Sequence, residues 1–394
     1  MSVLRDRNFA PFFVGNLTSN TGNWLFNVTA AVVVFQLTGS ALAVGMVSVA
    51  QFLPLVLVSP FAGALADRVD RRRMVIASQS FSTVAAVTIA IATLLVGIDG
   101  LPGAWPIIAA AAGIGIGNSL SQPAMNSLVP GLVATQDLAT AVSLTAVTYN
   151  VGRAIGPAGA GLLLVTLGAE VAFAINAVSF LVLIGGLAMV RSRPREEETD
   201  PTRDRSVRAG IRYVRDDPRA LLLLGGVAAA GFAADPAITL APSFADLLEG
   251  GEVLVSAFIS GFGVAAIPAA VLSGRLQTRF GSARMAGIGM AIMGGGSIAV
   301  AVAPWWWVAL LGFSSTGSGF VLAVTSFTTL LQLQLPESLR GRVMALWTVA
   351  FLGNRPLAAA IDGAAADAMG PRLAMLVAIS VSTIGVVIAQ RLRP

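Results

Sequence analysis

Gly63-Ala-Leu-Ala-Asp67-Arg68-Val-Asp70-Arg71-Arg72-Arg73 lies between two long apolar runs, Ala41–Ala66 and Met74–Val96. Six of its last seven residues are charged, in a chain where only 11% of residues are. A charged stretch this short, between runs this long, reads as a tight turn joining two helices. Each run supplies the roughly 20 apolar residues a helix needs to cross the ~30 Å hydrocarbon core of a bilayer. Backbone groups in lipid must pair within their own segment, so such runs are helices and not strands. The pattern recurs along all 394 residues, 56% of them hydrophobic, with a mean hydropathy of +0.81. The fold class is an all-α membrane protein that crosses the bilayer many times.

Twelve spans are predicted. The first six are Pro11–Leu37, Ala41–Ala66, Met74–Val96, Trp105–Val129, Leu138–Leu167 and Val171–Val190. The second six are Ala220–Pro242, Leu254–Leu276, Arg284–Ala303, Trp305–Leu331, Val343–Ala366 and Arg372–Ala389. Between the sets lies the only long polar stretch, Arg191–Arg219, expected to be a solvated linker with one surface helix near Asp204–Arg215. The domain expectation is therefore a six-helix bundle over 1–190, a linker over 191–219 and a second six-helix bundle over 220–394. Alternate loops hold 22 of the 25 arginines on one side of the membrane; Arg372 alone falls on the other, and Arg153 and Arg355 lie within spans. The positive-inside rule then places both termini in the cytoplasm. Trp305, Trp306 and Trp307 fall at the outer end of the tenth span, where an aromatic belt belongs.

Every basic residue is Arg; Lys, His and Cys are absent. That excludes His/Cys metal sites, thiol nucleophiles and disulfides, and leaves carboxylates as the residues able to carry protons. The net charge of +5 is no nucleic-acid signal, because the arginines sit in loops between spans. No phosphate-binding loop is present, so direct ATP drive is not expected. No cofactor is expected. The N-terminal residues show no cleavage site, and the first span is read as its own insertion signal.

The two halves resemble one another. Gly274-Arg275-Leu-Gln-Thr278-Arg279-Phe-Gly281-Ser-Ala-Arg284 follows the eighth span as the opening stretch follows the second, with Thr278 where Asp67 stands. Gly152-Arg153-Ala-Ile-Gly156-Pro157-Ala-Gly159-Ala-Gly161 in the fifth span can be laid over Asn354-Arg355-Pro356 through Asp362-Gly363 in the eleventh, so that Arg153 meets Arg355. Parallel six-helix repeats are a transporter architecture.

Gly63-x-x-x-Asp67-Arg68 followed by Arg71 and Arg72 resembles the loop between helices 2 and 3 of the major facilitator superfamily, and the resemblance extends over nearly the whole chain. The opening Arg5-Asp6-Arg7-Asn8-Phe9 and Pro336-Glu337-x-x-Arg340-Gly341-Arg342 resemble its branch of bacterial drug and siderophore exporters, which includes enterobactin exporters and macrolide efflux proteins. The resemblance implies two pseudo-symmetric bundles that work by alternating access, in the bacterial cytoplasmic membrane. It also implies that Asp67 pairs near Arg340–Arg342 as a cytoplasmic gate. Asp70 departs from the glycine many relatives carry.

Several residues are candidates for the chemistry. Asn16, Asn20, Asn23 and Asn27 are spaced by four, three and four, one stripe of a helix, with Trp24 beside them. Four amides cannot all face lipid, so the stripe lines a cavity or bonds other helices. Asn118, Gln122 and Asn126 repeat the idea in the fourth span, and Ser318 and Thr325 lie in the tenth. The resemblance implies that spans 1, 4, 7 and 10 line a central cavity, here neutral, polar and suited to an amphipathic small molecule. Gly152, Gly156, Pro157, Gly159 and Gly161 resemble the helix-5 motif of drug antiporters, which implies export in exchange for protons; the same glycines permit tight packing between the halves.

Arg153 and Arg355 are expensive at about 2.5–3.5 kcal/mol each at mid-bilayer, so they must face the protein interior. Asp235 and Asp362 are their candidate partners; either aspartate titrates, or the pairs are permanent. Seven residues separate Arg355 from Asp362, two turns on one helical face. The expected function is proton-coupled export of a small amphipathic molecule by a monomer. A facilitator or importer of a lipid-like or metabolite substrate is one alternative, and a non-transporting receptor or scaffold is another.

Overall fold

The computed structural model describes residues 3–66, 69–190, 207–336 and 339–393, and every regular element among them is helical. In chain order these are α1 (Phe9–Thr38), α2 (Ala41–Ala66), α3 (Arg71–Val96), α4 (Trp105–Leu128), α5 (Leu138–Thr166) and α6 (Ala169–Met189). They continue with α7 (Val207–Asp216), α8 (Pro218–Ala233), α9 (Pro236–Thr239), α10 (Ala241–Leu247), α11 (Gly251–Phe280) and α12 (Ser282–Ala301). The last four are α13 (Trp306–Gln334), α14 (Arg340–Leu352), α15 (Arg355–Met369) and α16 (Pro371–Arg391). Nine helical segments among the described residues are long and apolar enough to cross a membrane. α1, α4 and α5, at 30, 24 and 29 residues, have the length but carry polar side chains that lower their apolarity. The expectation of twelve spans counts those three as well.

The charged stretch is not simply a loop. Arg71, Arg72 and Arg73 form the first turn of α3, a place where positive charge opposes the helix dipole. Asp70 offsets this as N-cap, its Oδ1 accepting the Arg73 amide at 2.7 Å. The side chains then reach the opposite ends of other helices. Arg72 donates from Nε to Leu187 O at 2.7 Å and from Nη2 to Ala188 O at 2.6 Å, in the last turn of α6. Arg71 reaches Ser127 O at the end of α4. Arg372 does the same at the C-terminus of α12, with Ala303 O at 2.8 Å. A guanidinium on the unpaired carbonyls of a C-terminus is favourable in hydrogen bonding and in charge.

Contacts divide the chain into two compact units, Met1–Gly39 with Met46–Glu198, and Ser40–Gly45 with Thr199–Pro394. In the first unit α1 packs on α5 and α6, and α3 on α4 and α6. Phe26 and Phe173, with rings 5.6 Å apart, seal the α1–α6 contact. In the second unit α13 is central, packed on α11, α12 and α8, with α16 against α12 and α8. The α12–α13 contact is built from glycines seven residues apart on each helix. A Cβ on Gly289 would lie 2.5 Å from Ala323 N, one on Gly296 2.6 Å from Gly312 O, and one on Gly319 2.5 Å from Gly289 O. Lipid tails supply no hydrophobic drive between helices, so close backbone approach of this kind is what holds them.

Other expectations are adjusted. The second copy of the charged motif is mostly helix, since α11 runs on to Phe280 and turns only at Gly281 (φ 83°). The seventh and eleventh spans, expected as single helices, are each interrupted, at Ala234–Asp235 and at Gly353–Asn354. A surface helix occurs as α7, and Gly210 on it approaches Arg342. Trp305, Trp306 and Trp307 are exposed at the start of α13, with the first and third rings stacked 5.7 Å apart.

The first turn of α2 belongs with the second unit through Asp367 on α15. Its carboxylate accepts from Ser40 Oγ at 2.5 Å, Ala41 N at 2.7 Å and Leu42 N at 3.2 Å. A Cβ on Gly363 would lie 2.7 Å from Ala41 O, so glycine is needed to bring the helices together. Asp367→Ala removes a cap worth about 1 kcal/mol. Amide exchange at Ala41 and Leu42 is expected to quicken about fivefold, with exchange in α13 unchanged. Equal exchange in the variant would show that the turn is held by packing alone.

Candidate functional site

The two interrupted spans of the second unit meet, as α9 contacts α15 and α8 contacts both α14 and α15. At the first interruption Pro236 lacks an N–H and crowds the carbonyl one turn back, so the helical ladder stops at Ala233 and restarts with Asp235 as N-cap. The Asp235 carbonyl accepts the amides of Ile238 at 2.9 Å and Thr239 at 3.1 Å. Its Oδ2 accepts from Thr239 Oγ1 at 2.6 Å, while Oδ1 is buried without a hydrogen-bond partner. At the second interruption Pro356 occupies the first turn of α15, where a missing N–H costs nothing. Asn354 Nδ2 donates to Ala228 O at 2.6 Å and ties the second break to the body of α8. Interrupted backbone is tolerated at membrane depth only where protein or a water-filled cavity surrounds it.

Arg355 begins α15, and Asp362 lies two turns further on. The seven-residue spacing invites a pairing between them, but the carboxylate on which the Arg355 charge acts is Asp235. Asp362 is acted on by Asp235 instead. Asp362 is 0% exposed and Asp235 1%, and neither oxygen of Asp362 has a hydrogen-bond partner. Two carboxyls and one guanidinium thus form a single cluster inside the second unit. An ionised carboxylate without a donor is costly to bury, and a proton removes the cost.

An aromatic ladder runs across α14, α13 and α11. Trp347 stacks on Phe351 at 4.9 Å, Phe351 on Phe320 at 5.9 Å, and Phe320 meets Phe262 at 5.7 Å. Trp347 and Phe351 are half-buried, and Trp347 Nε1 donates to Thr328 Oγ1 at 3.0 Å. Of the residues expected in the tenth span, Ser318 donates to Ala265 O on α11 at 3.2 Å. Thr325 accepts from Gln277 at 3.4 Å.

In the first unit the asparagine stripe faces protein. Asn16 is buried and donates to Thr148 Oγ1 on α5 at 2.8 Å; Asn20 reaches the same oxygen at 3.2 Å. Asn118 reaches Asn23 Oδ1 at 3.5 Å. Asn27 is half-buried, with an Oδ1 that has no partner. Gln122 and Asn126 are exposed. Interhelical bonding therefore accounts for part of the stripe. Arg153 lies over the Trp24 ring at 5.4 Å, and Tyr149 meets the same ring edge-on at 6.1 Å. Gly152 and Gly156 permit this, since a Cβ on Gly156 would sit 2.6 Å from Trp24 Cβ. The close contacts of both glycines are with α1, inside the first unit; Gly159 meets only Leu25 at 3.9 Å. Pro157 is within α5 and Gly161 is buried there. Gly63 lies within α2, whereas Asp67 and Arg68 lie outside the described residues.

Sequence reasoning missed Thr239, Tyr149 and Asn354. The first two stand four residues from Asp235 and Arg153, one helical turn from each charge, and that spacing was the available signal.

A model of the transmembrane secretion effector family, a branch of the major facilitator superfamily, matches residues 1–393. The chain belongs to that family. As a transmembrane secretion effector protein it is a multi-pass membrane transporter of small molecules and not an enzyme. It is 26% identical to the multidrug efflux pump Tap of Mycolicibacterium fortuitum, over 90% of this chain and 88% of Tap. It is also 26% identical to the enterobactin exporter EntS of Escherichia coli, over 92% of this chain and 86% of EntS. Among solved structures it resembles a bacterial homologue of the human lysosomal transporter Spinster (TM-score 0.77, 14% identity, 97% of this chain and 95% of that one). A bacterial homologue of the iron transporter ferroportin fits as well (TM-score 0.76, 15% identity, 99% of each chain). At those identities the likeness is one of fold.

Proposed function

We propose that this transmembrane secretion effector protein exports small amphipathic molecules across the bacterial cytoplasmic membrane by alternating access, driven by proton entry. The observation that carries the reading is the buried Asp235–Asp362–Arg355 cluster at the meeting of two broken helices. Ionisable groups inside a membrane are expensive and mark ion pathways, and helix breaks mark the sites around which transporters move. Export as the direction is supported by relatives named as an efflux pump and a siderophore exporter. An amphipathic substrate is supported by the half-buried Trp347 and Phe351 in one unit and by Trp24, Tyr149 and the asparagines in the other. On this reading the protein works as a monomer of two six-helix bundles with both termini in the cytoplasm, and Asp67 helps to gate the cytoplasmic side.

The test is transport of an amphipathic fluorescent cation, ethidium, and of a catecholate siderophore into proteoliposomes with an imposed pH gradient. Accumulation that collapses on adding a protonophore, with proton movement on adding substrate, is the expected result. Substrate exchange indifferent to the gradient would replace it with a facilitator. Binding without flux would replace it with a receptor.

A further inference from the structure

The arginine triplet at the start of α3 divides its work unevenly. Arg71 and Arg72 are held on the carbonyl ends of α4 and α6, whereas Arg73 is exposed and lines a groove of about 610 Å³. The groove runs between the end of α2, the first turns of α3 and Leu120 of α4, all inside the first unit. Its floor is a stripe at four-residue intervals, Arg73, Ala77 and Phe81, each exposed. Leu65 and Val69 form an exposed apolar wall. The groove's hydroxyl, Ser78 Oγ, is committed to Met74 O at 2.6 Å, and the Asp70 Oδ1 at the rim is committed to the Arg73 amide at 2.7 Å.

The groove is thus apolar along the body of a membrane-spanning helix and cationic at the end of that helix. Asp70 and Arg73, the charged residues that line the groove, balance one another, and Arg71 and Arg72 in the same turn of α3 bring the helix end to a local charge of about +2, counting each ionised group as one unit. We infer that the groove between α2, α3 and α4 binds one phospholipid with an anionic headgroup, its phosphate at Arg73 and an acyl chain along Ala77 and Phe81. A soluble anion would have no use for the apolar walls, and an uncharged hydrocarbon would have none for the guanidinium. A basic residue at a membrane surface favours an anionic lipid by about 1 kcal/mol, about fivefold in occupancy.

The test uses the full chain, purified and equilibrated in micelles holding equal amounts of phosphatidylglycerol and phosphatidylcholine, with bound lipids counted by native mass spectrometry. The wild type is expected to retain one phosphatidylglycerol over phosphatidylcholine about fivefold. R73Q should erase the preference and R73K should keep it, which separates charge from misfolding. A77W, which fills the floor, should release the lipid at an unchanged melting temperature. Equal retention of the two lipids by the wild type would overturn the inference, as an undiscriminating lipid annulus. So would a preference that survives R73Q, a lipid that survives A77W, or displacement of the lipid by glycerol phosphate alone.

Discussion

Asp362→Asn is expected to cut pH-driven accumulation of substrate sharply while leaving the protein as stable as the wild type, or more so. The two effects separate because of where Asp362 sits. It is fully buried, neither of its oxygens accepts a hydrogen bond, and the group acting on it is another carboxylate. Asparagine keeps the shape, removes the like-charge repulsion within the pair and cannot release a proton. Free energies of coupling between two ligands of one protein run about 1–3 kcal/mol, so accumulation against the gradient should fall between about fivefold and 150-fold. Substrate binding at equilibrium should change little. Asp235→Asn should lose the same coupling but also lower the melting temperature, because Asp235 is the carboxyl on which the Arg355 charge acts and it accepts the Thr239 hydroxyl. Full pH-driven transport in both variants would remove the cluster from the transport cycle. Loss of transport together with unfolding in both would make it a structural core.

The second large effect is on stability. Gly319→Leu would place a Cβ 2.5 Å from Gly289 O and 2.8 Å from Met293 N, both backbone atoms that cannot swing aside. Forcing a side chain into packed space costs typically about 1–3 kcal/mol, and an obstacle made of backbone belongs at the upper end. Gly295→Ala on α12 is the control, since nothing lies within 4 Å of its Cβ position. There alanine should be neutral or stabilise the helix by about 0.5–1 kcal/mol. Thermal unfolding in detergent, followed by circular dichroism, reads both. Equal melting temperatures for the two variants would show that the α12–α13 contact opens without cost, and that the seven-residue glycine spacing is incidental.

Much of the fold was legible because membrane insertion is a local problem. Each run of about 20 apolar residues must satisfy its own backbone, so composition alone specifies a helix. The same logic made Asp235, Asp362, Arg153 and Arg355 stand out, since charge inside an apolar run is conspicuous wherever the run is placed. What the sequence could not convey was which charge answers which. Arg355 and Asp362 share one helical face by spacing, but the break at Pro236 sets Asp235 beside the start of α15, and Arg355 acts there.

The fate of the arginine triplet was equally hidden. Seen as a string, Arg71, Arg72 and Arg73 are one basic patch. Folded, two of them cap the carbonyl ends of α4 and α6, far along the chain, and one is left to a groove. The asparagine stripe of α1 was readable as facing protein, because amides in lipid are costly, but its partners Thr148 and Asn118 were not. By itself, then, the sequence determined the helical membrane class, the apolar helical runs and the short roll of residues too polar to be there by default. Those depend on the energy of one segment in hydrocarbon. Tertiary structure alone decided the pairings among those residues, the meeting of the two helix breaks and the backbone contacts at Gly289, Gly296 and Gly319, because each of these is a distance between segments remote in the chain.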